Sequence, residues 1–400
     1  MTIKLRRLKS SKKGFFSEDN IQKFKDKFGD INWDNEFKIK WCQQAFTAIN
    51  DKVNNLFLDC FPLTETKINR ACNPINPWMS KGLLISRNTK EKLFNKSCRK
   101  PTYTNVDTYK EFNNLYKKLC RQAKINYFNN KFASAGKNMK ECWETIREVI
   151  GSPKRCQNLP GYFKVGGRKI KTDSEIAQGF NNFFSNIGSD LDNMLQDSKT
   201  NFNTYLKNRP KAKFTFRQVN IGDITKIISK LKPKPNAGPE YISSKLLKAC
   251  SQQLCPLLEH LINLSLKQGV FPKQLKVAKV IPIFKSEDSH LFNNYRPISL
   301  LPSFSKVYEK VVASQIVQYL DDNKLYYQDQ YGFRKGYSTI HPLIRFFNFI
   351  SEAHSKNEHA MAVFIDLKKA FDTVNHQILL SKLKFYGIGG IANAWFSSYL

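Results

Sequence analysis

Val363-Phe364-Ile365-Asp366-Leu367-Lys368-Lys369-Ala370-Phe371-Asp372-Thr373-Val374-Asn375-His376 is the stretch whose reading decides the fold. The apolar run from Ala360 to Ile365 predicts a buried strand. Asp366 closes it, and Ile378, Leu379, Leu380 and Leu383 then repeat at helical spacing up to Gly387. A carboxylate at the end of a buried strand is costly unless something compensates it, and a divalent cation is the usual compensation. A bare apolar run followed by Asp also describes a helix cap or a surface acid, so the flanking sequence has to decide.

Working outward, Val277 to Lys285 is a second apolar strand, ending in a cation. Asn294-Tyr295-Arg296-Pro297-Ile298-Ser299-Leu300-Leu301 follows and puts Arg296 eleven residues beyond Lys285. Two strands that each present a cation suit a hairpin closing on a triphosphate, since Arg offers a planar fork and Lys a compact charge. A helix from Ser305 to about Leu320 comes next, then Gln328-Asp329-Gln330-Tyr331-Gly332-Phe333-Arg334. There Gly332 allows close backbone approach, Phe333 a stacking face and Arg334 a phosphate partner.

Taken in this order, Asn-Tyr-Arg-Pro-Ile-Ser-Leu-Leu, Gln-Tyr-Gly-Phe-Arg and Asp366-x-x-Lys-Ala-Phe-Asp-x-Val-Asn-His resemble the reverse transcriptases of non-LTR (LINE-type, jockey-like) retrotransposons. The resemblance is strong over residues 214–400 and weaker over 76–190. It implies an α+β fold, with a basic helical N-terminal extension followed by the fingers and an incomplete palm of a right-hand polymerase. It implies RNA-templated DNA synthesis with two Mg2+ ions, Mn2+ being a possible substitute. Asp366 is by resemblance the catalytic, ion-bridging ligand, with the Leu367 carbonyl beside it. Lys285 and Arg296 are expected to contact the nucleotide phosphates. Ala370 and Phe371 are expected to line the nucleotide site, with Phe371 crowding the sugar 2′-position. Gly332, Phe333 and Arg334 are expected at template or primer. The partners implied are an RNA template, a DNA primer and deoxynucleotides. In the family a Gly-rich motif and a Tyr-x-Asp-Asp hairpin come after this palm motif. Neither follows Asp366, so the sequence reads as a reverse transcriptase cut short, expected not to polymerise by itself. A nucleic-acid-binding remnant without catalysis and a maturase-like intron protein remain as alternatives.

Composition points the same way. Among 400 residues, 65 Lys+Arg face 33 Asp+Glu, a formal net charge of +32 that attracts polyanions. Nucleic acid leads and an anionic membrane surface is the alternative, though no apolar run is long enough to span a bilayer. The start, Met1 to Arg7, is basic and lacks a secretory h-region, so an intracellular protein, nuclear or cytoplasmic, is expected. The nine cysteines include no C-x-x-C pair, which leaves a zinc finger unsupported and argues for reduced thiols.

The N-terminal half divides by pattern. Residues 1–105 read as a basic, partly helical leader, with Lys4, Arg6, Arg7, Lys9, Lys12 and Lys13 crowding its start. Residues 106–196 read as a helical extension with a hairpin at 161–171. Its main helix carries an apolar stripe, Tyr109, Phe112, Tyr116, Leu119 and Ala123. Lys110, Lys117, Lys124 and Lys131 repeat every seven residues on another face, with Arg121 beside them, as a rail for a nucleic-acid backbone or a solvated face. Residues 197–213 read as a linker, 214–358 as fingers and 359–400 as the start of the palm. The Gly238-Pro239 turn carries Glu240 where the family has Asp.

Overall fold

The computed structural model describes residues 10–14, 17–61, 63–67, 76–136, 138–151, 159–193, 200–207, 209–234, 238–239, 241–367 and 369–400. The arm with Arg6 and Arg7, Cys72, Cys156, Glu240 and Lys368 lie outside them. The chain forms two units, Met1–Thr66 with Pro160–Leu400, and Lys67–Leu159. It is a largely helical α+β protein.

In chain order the elements are β1 (Ser10–Gly14), α1 (Glu18–Gly29), α2 (Asp34–Phe37), α3 (Cys42–Cys60), β2 (Leu63–Lys67), α4 (Lys81–Arg99), α5 (Tyr103–Ala135), α6 (Met139–Val149), β3 (Phe163–Val165), β4 (Arg168–Ile170) and α7 (Asp173–Asp192). There follow α8 (Ile221–Ser229), α9 (Ser244–Ala249), α10 (Ser251–Gln268), β5 (Lys279–Phe284), β6 (Tyr295–Leu300), α11 (Ser303–Asp322), α12 (Ile340–Ser355), α13 (His376–Phe385) and α14 (Gly390–Tyr399). The described strands pair as β1–β2, β3–β4 and β5–β6.

The larger unit is built on α10. Leu254, Leu257, Leu258, Leu261, Ile262 and Leu266 recur three and four residues apart and are all buried, each worth about 1.5–3 kcal/mol. Gly269, in the left-handed conformation at φ +66°, ends the helix, as its place after Lys267-Gln268 predicts. The helix begins at Ser251, so Pro256 lies inside it and not in its first turn. Helices α3, α8, α11 and α14 bring Phe46, Val53, Ile224, Val307, Tyr308 and Trp395 to the same core. Residues 42–57 therefore pack against partners more than two hundred residues away in sequence. Polar bonds fix that packing: Gln268 Oε1 accepts from the Cys42 N–H at 2.9 Å, and Gln43 Oε1 from the Lys273 N–H at 2.9 Å. Burial pushes the Cys42 and Cys250 thiols up to about 11, so both stay protonated at neutral pH, and all seven described cysteines are unpaired.

The end of α13 joins this core through Gly387. Its φ is +87°, and a Cβ there would lie 2.6 Å from the Ala212 carbonyl. The Gly387 carbonyl accepts from the Phe214 N–H at 2.9 Å, and Tyr319 Oη donates to Ala212 O at 2.8 Å. Gly387→Ala is expected to destabilise the unit by about 2 kcal/mol or more, read as a lower urea midpoint with unchanged slope. An unchanged midpoint would show that the turn relaxes freely.

In the smaller unit, α5 is the helix expected from the stripe Tyr109 to Ala123 and runs to 33 residues. It packs on α4 and α6, with Phe94 and Tyr109 rings 5.3 Å apart. The stripe differs in one member: Leu119 is 47% exposed, and the face continues instead through Tyr127 and buried Phe128.

Candidate nucleic-acid interface

The β5–β6 hairpin positions the two cations. Its register pairs Ile283 with Arg296 and Phe284 with Tyr295, and the Lys285 N–H donates to Asn294 O at 2.8 Å. Side chains alternate across a strand, so Lys285 and Arg296 project from one face as diagonal neighbours. That face also carries Lys279, Ile281 and Ile298 and is exposed. The opposite face buries Val280 and Tyr295. Phe163, Phe180 and Phe292 pack there, with the Phe163 and Phe292 rings stacked at 4.8 Å. The capping box Thr172–Glu175 starts α7, which carries Phe180 into this cluster.

The loop of the hairpin is clamped by Asp288. Its carboxylate accepts from the His290 N–H at 2.9 Å, from His290 Nδ1 at 2.8 Å and from Lys164 Nζ at 3.0 Å. These bonds hold its carboxyl well below the usual range, the His290 N–H first and Lys164 next. The clamp fixes the turn beside Lys285, and sequence reading missed it because Lys164 lies in another hairpin.

Downstream of α11, Phe333 sits at φ +61° and is 96% exposed. The Arg334 guanidinium is stacked over Tyr326 at 4.6 Å and Tyr337 at 4.7 Å. Its charge therefore braces its own turn, while Phe333 presents an exposed ring. The structure brings Phe333 next to Phe371, rings 6.0 Å apart and perpendicular.

The Asp366 segment differs from expectation. Residues 360–365 form no strand, and Val363, Phe364 and Ile365 are exposed by 77%, 85% and 84%. A strand needs a partner, and every described strand is already paired elsewhere. The helix after it is present as α13, capped by Asn375, whose Oδ1 accepts from the Gln377 and Ile378 N–H groups. Asp372 stands in the preceding turn and not at the cap. Exposed Leu343, Ile344 and Phe347 of α12 join Phe364 and Ile365 in presenting apolar surface, with Phe346 and Phe364 rings 6.0 Å apart.

Asp366 is an exposed single carboxylate. No three His, Cys, Asp or Glu side chains gather for a metal among the described residues. The donor set present thus does not fit a two-ion centre. The letters Tyr319-Leu320-Asp321-Asp322 do spell Tyr-x-Asp-Asp, but upstream of Asp366 and in the last turn of α11. There Tyr319 is spent on packing bonds to Ala212 and Tyr386 carbonyls.

On α5, Lys110, Lys117, Arg121 and Lys124 are exposed, and none is in an ion pair among the described residues. Lys131 is not free for a rail: it pairs with Glu148 and lies over the Tyr127 ring at 5.5 Å. No helix among the described residues is long and apolar enough to cross a membrane.

Residues 283–400 match the family model of reverse transcriptase (RNA-dependent DNA polymerase). Over 332 residues, 77% of this chain and 35% of the relative, the sequence is 28% identical to a probable RNA-directed DNA polymerase from transposon BS of Drosophila melanogaster. It is 34% identical over 167 residues to the RNA-directed DNA polymerase from mobile element jockey of Drosophila funebris, covering 42% of this chain and 18% of the relative. It is 31% identical over 163 residues to a probable RNA-directed DNA polymerase from transposon X-element of Drosophila melanogaster, covering 40% and 18%. The chain spans about a third or less of the length of these relatives. Residues 283–400 are thus similar to a reverse transcriptase domain, and the chain is similar to polymerases of several transposable elements and not to that of jockey alone.

Proposed function

We propose that this chain is the nucleotide- and template-facing part of an RNA-directed DNA polymerase of a jockey-like element. The observation that carries the reading is the shared face of Lys285 and Arg296 on the β5–β6 hairpin, inside the stretch that matches the family. Two cations on one exposed face neutralise a triphosphate. Asp366, with the Leu367 carbonyl alongside, would hold Mg2+, or Mn2+ in its place, only together with carboxylates that are not gathered around it among the described residues, and two such ions would supply activation of the primer hydroxyl and stabilisation of the leaving pyrophosphate. Ala370 and Phe371 line the sugar, and the exposed Phe333 ring stacks on template or primer. Lys110, Lys117, Arg121 and Lys124 meet the nucleic-acid backbone. The partners are an RNA template, a DNA primer and deoxynucleotides, inside the cell.

A second reading, a nucleic-acid-binding chain without catalysis, is favoured by the lone exposed Asp366. One experiment separates the two. Both expect this chain to bind an RNA–DNA hybrid, with affinity falling about a thousandfold between roughly 50 and 200 mM salt. A salt-independent interaction, or none at low salt, would sink both. A protein extended to the length of the relatives should lengthen a primer on an RNA template under the first reading only. This chain by itself is expected to extend no primer.

A further inference from the structure

A cleft of about 850 Å³ lies on the larger unit between the segment 209–218, the end of α10 and the start of α14. Six cations line it, Arg209, Lys211, Lys213, Arg217, Lys267 and Lys384, and no acidic residue among the described residues does. Arg217 alone of the six has an ion pair among the described residues, to Asp223 at 3.2 Å. Lys267 and Lys384 stand in the last turns of α10 and α13, where a cation offsets the helix dipole. Arg209, Lys211 and Lys213 have no such structural employment among the described residues.

Their spacing is regular. Arg209, Lys211, Lys213 and Arg217 fall at odd positions, and Phe214 and Phe216 at even positions turn into the core. In that alternation 213, 215 and 217 are exposed, 214 is buried and 216 half-buried. The segment belongs to no sheet, yet it is strapped in place like a strand. The Arg217 N–H donates to Gln315 Oε1 at 3.0 Å and its carbonyl accepts from Gln315 Nε2 at 3.1 Å. Asn263 grips the Val219 backbone in the same two-point way, at 2.9 and 2.8 Å. From 213 to 217 the chain advances as extended backbone, about 3.3 Å per residue, so Lys213 and Arg217 stand about 13 Å apart, roughly two phosphate spacings of an extended single strand, while a bend at 211–212 sets Arg209 and Lys211 off that line.

We propose that this cleft tracks the backbone of a single strand of nucleic acid, apart from the face of β5–β6. A row of cations on a strapped segment suits a linear polyanion better than a compact one. The aromatic rings beneath are turned inward, so nothing offers to stack a base and binding is indifferent to sequence. The site stands whether or not the chain belongs to an active polymerase.

The test is fluorescence anisotropy of a short labelled single-stranded oligonucleotide with this chain and with Arg209→Ala/Lys211→Ala/Lys213→Ala. Loss of three phosphate contacts should weaken binding about tenfold or more and reduce the slope of log K against log salt by about 2. A charge-matched variant at exposed positions outside the cleft, Lys23→Ala/Lys230→Ala/Lys310→Ala, should change affinity less than about threefold. A photoreactive oligonucleotide on the unmodified chain should label peptides from 209–218 or 384–392, which keeps the test independent of variant folding. Equal losses in the two triple variants, an unchanged slope, or labelling only elsewhere would overturn the proposal. So would cleft-dependent binding of anionic vesicles or an acidic peptide without binding of the oligonucleotide.

Discussion

In a protein extended to the length of its relatives, Asp366→Ala is expected to lower RNA-templated primer extension about a thousandfold or more, roughly 4 kcal/mol of barrier. The proposed role of the carboxylate is to hold ions at the reacting phosphate, where a neutral methyl group does nothing. Asp366→Asn should behave alike, because it keeps the shape and loses the charge. The side chain is exposed and belongs to no buried cluster, so neither change should move the melting temperature. That separates loss of chemistry from loss of fold. An Asp366→Ala protein extending primers at parental rate would remove Asp366 from the chemistry.

Trp395→Ala is expected to cost the larger unit about 3–5 kcal/mol. The indole is 1% exposed. It stacks on Tyr399 at 5.5 Å and meets Phe271 edge-on at 5.3 Å and Phe216 at 5.9 Å. Its Nε1–H donates to Ser265 Oγ at 3.0 Å, so truncation leaves a cavity on α10 and strips the hydroxyl of a donor. Trp395→Phe keeps most of the ring contacts and should lose less. Urea denaturation measures both. A change below about 1 kcal/mol for the alanine variant would mean that α14 is peripheral and not a member of the core.

The helices were legible wherever apolar residues repeat locally. Tyr109, Phe112, Tyr116 and Ala123 marked α5, and Ile378, Leu379, Leu380 and Leu383 marked α13. The cations of β5 and β6 were legible because a two-stranded hairpin fixes its own register. What the sequence hid is long-range. Nothing near Phe46 announces Leu258 or Trp395 as neighbours, and a basic start invites reading as a solvated leader. Residues 360–365 mislead for the opposite reason, since apolar composition expresses a preference for burial while a strand also requires a partner. Residues 209–213 were read as linker for their polarity, although Arg and Lys at alternate positions ahead of Phe214 and Phe216 were the available signal. Tyr319-Leu320-Asp321-Asp322 shows the converse, letters of a motif set in a helix end.

The most direct measurement of the central claim is nucleotide kinetics on an RNA template, using relative-length protein, its Lys285→Ala variant and its Arg296→Ala variant. The two cations are proposed to meet the triphosphate from one face of one hairpin. Each variant should therefore lower kcat/KM for the deoxynucleotide by about a hundredfold, near 2.7 kcal/mol, while binding of the RNA–DNA hybrid changes little. Parental kcat/KM in both variants, or no extension by the parent protein, would contradict the account.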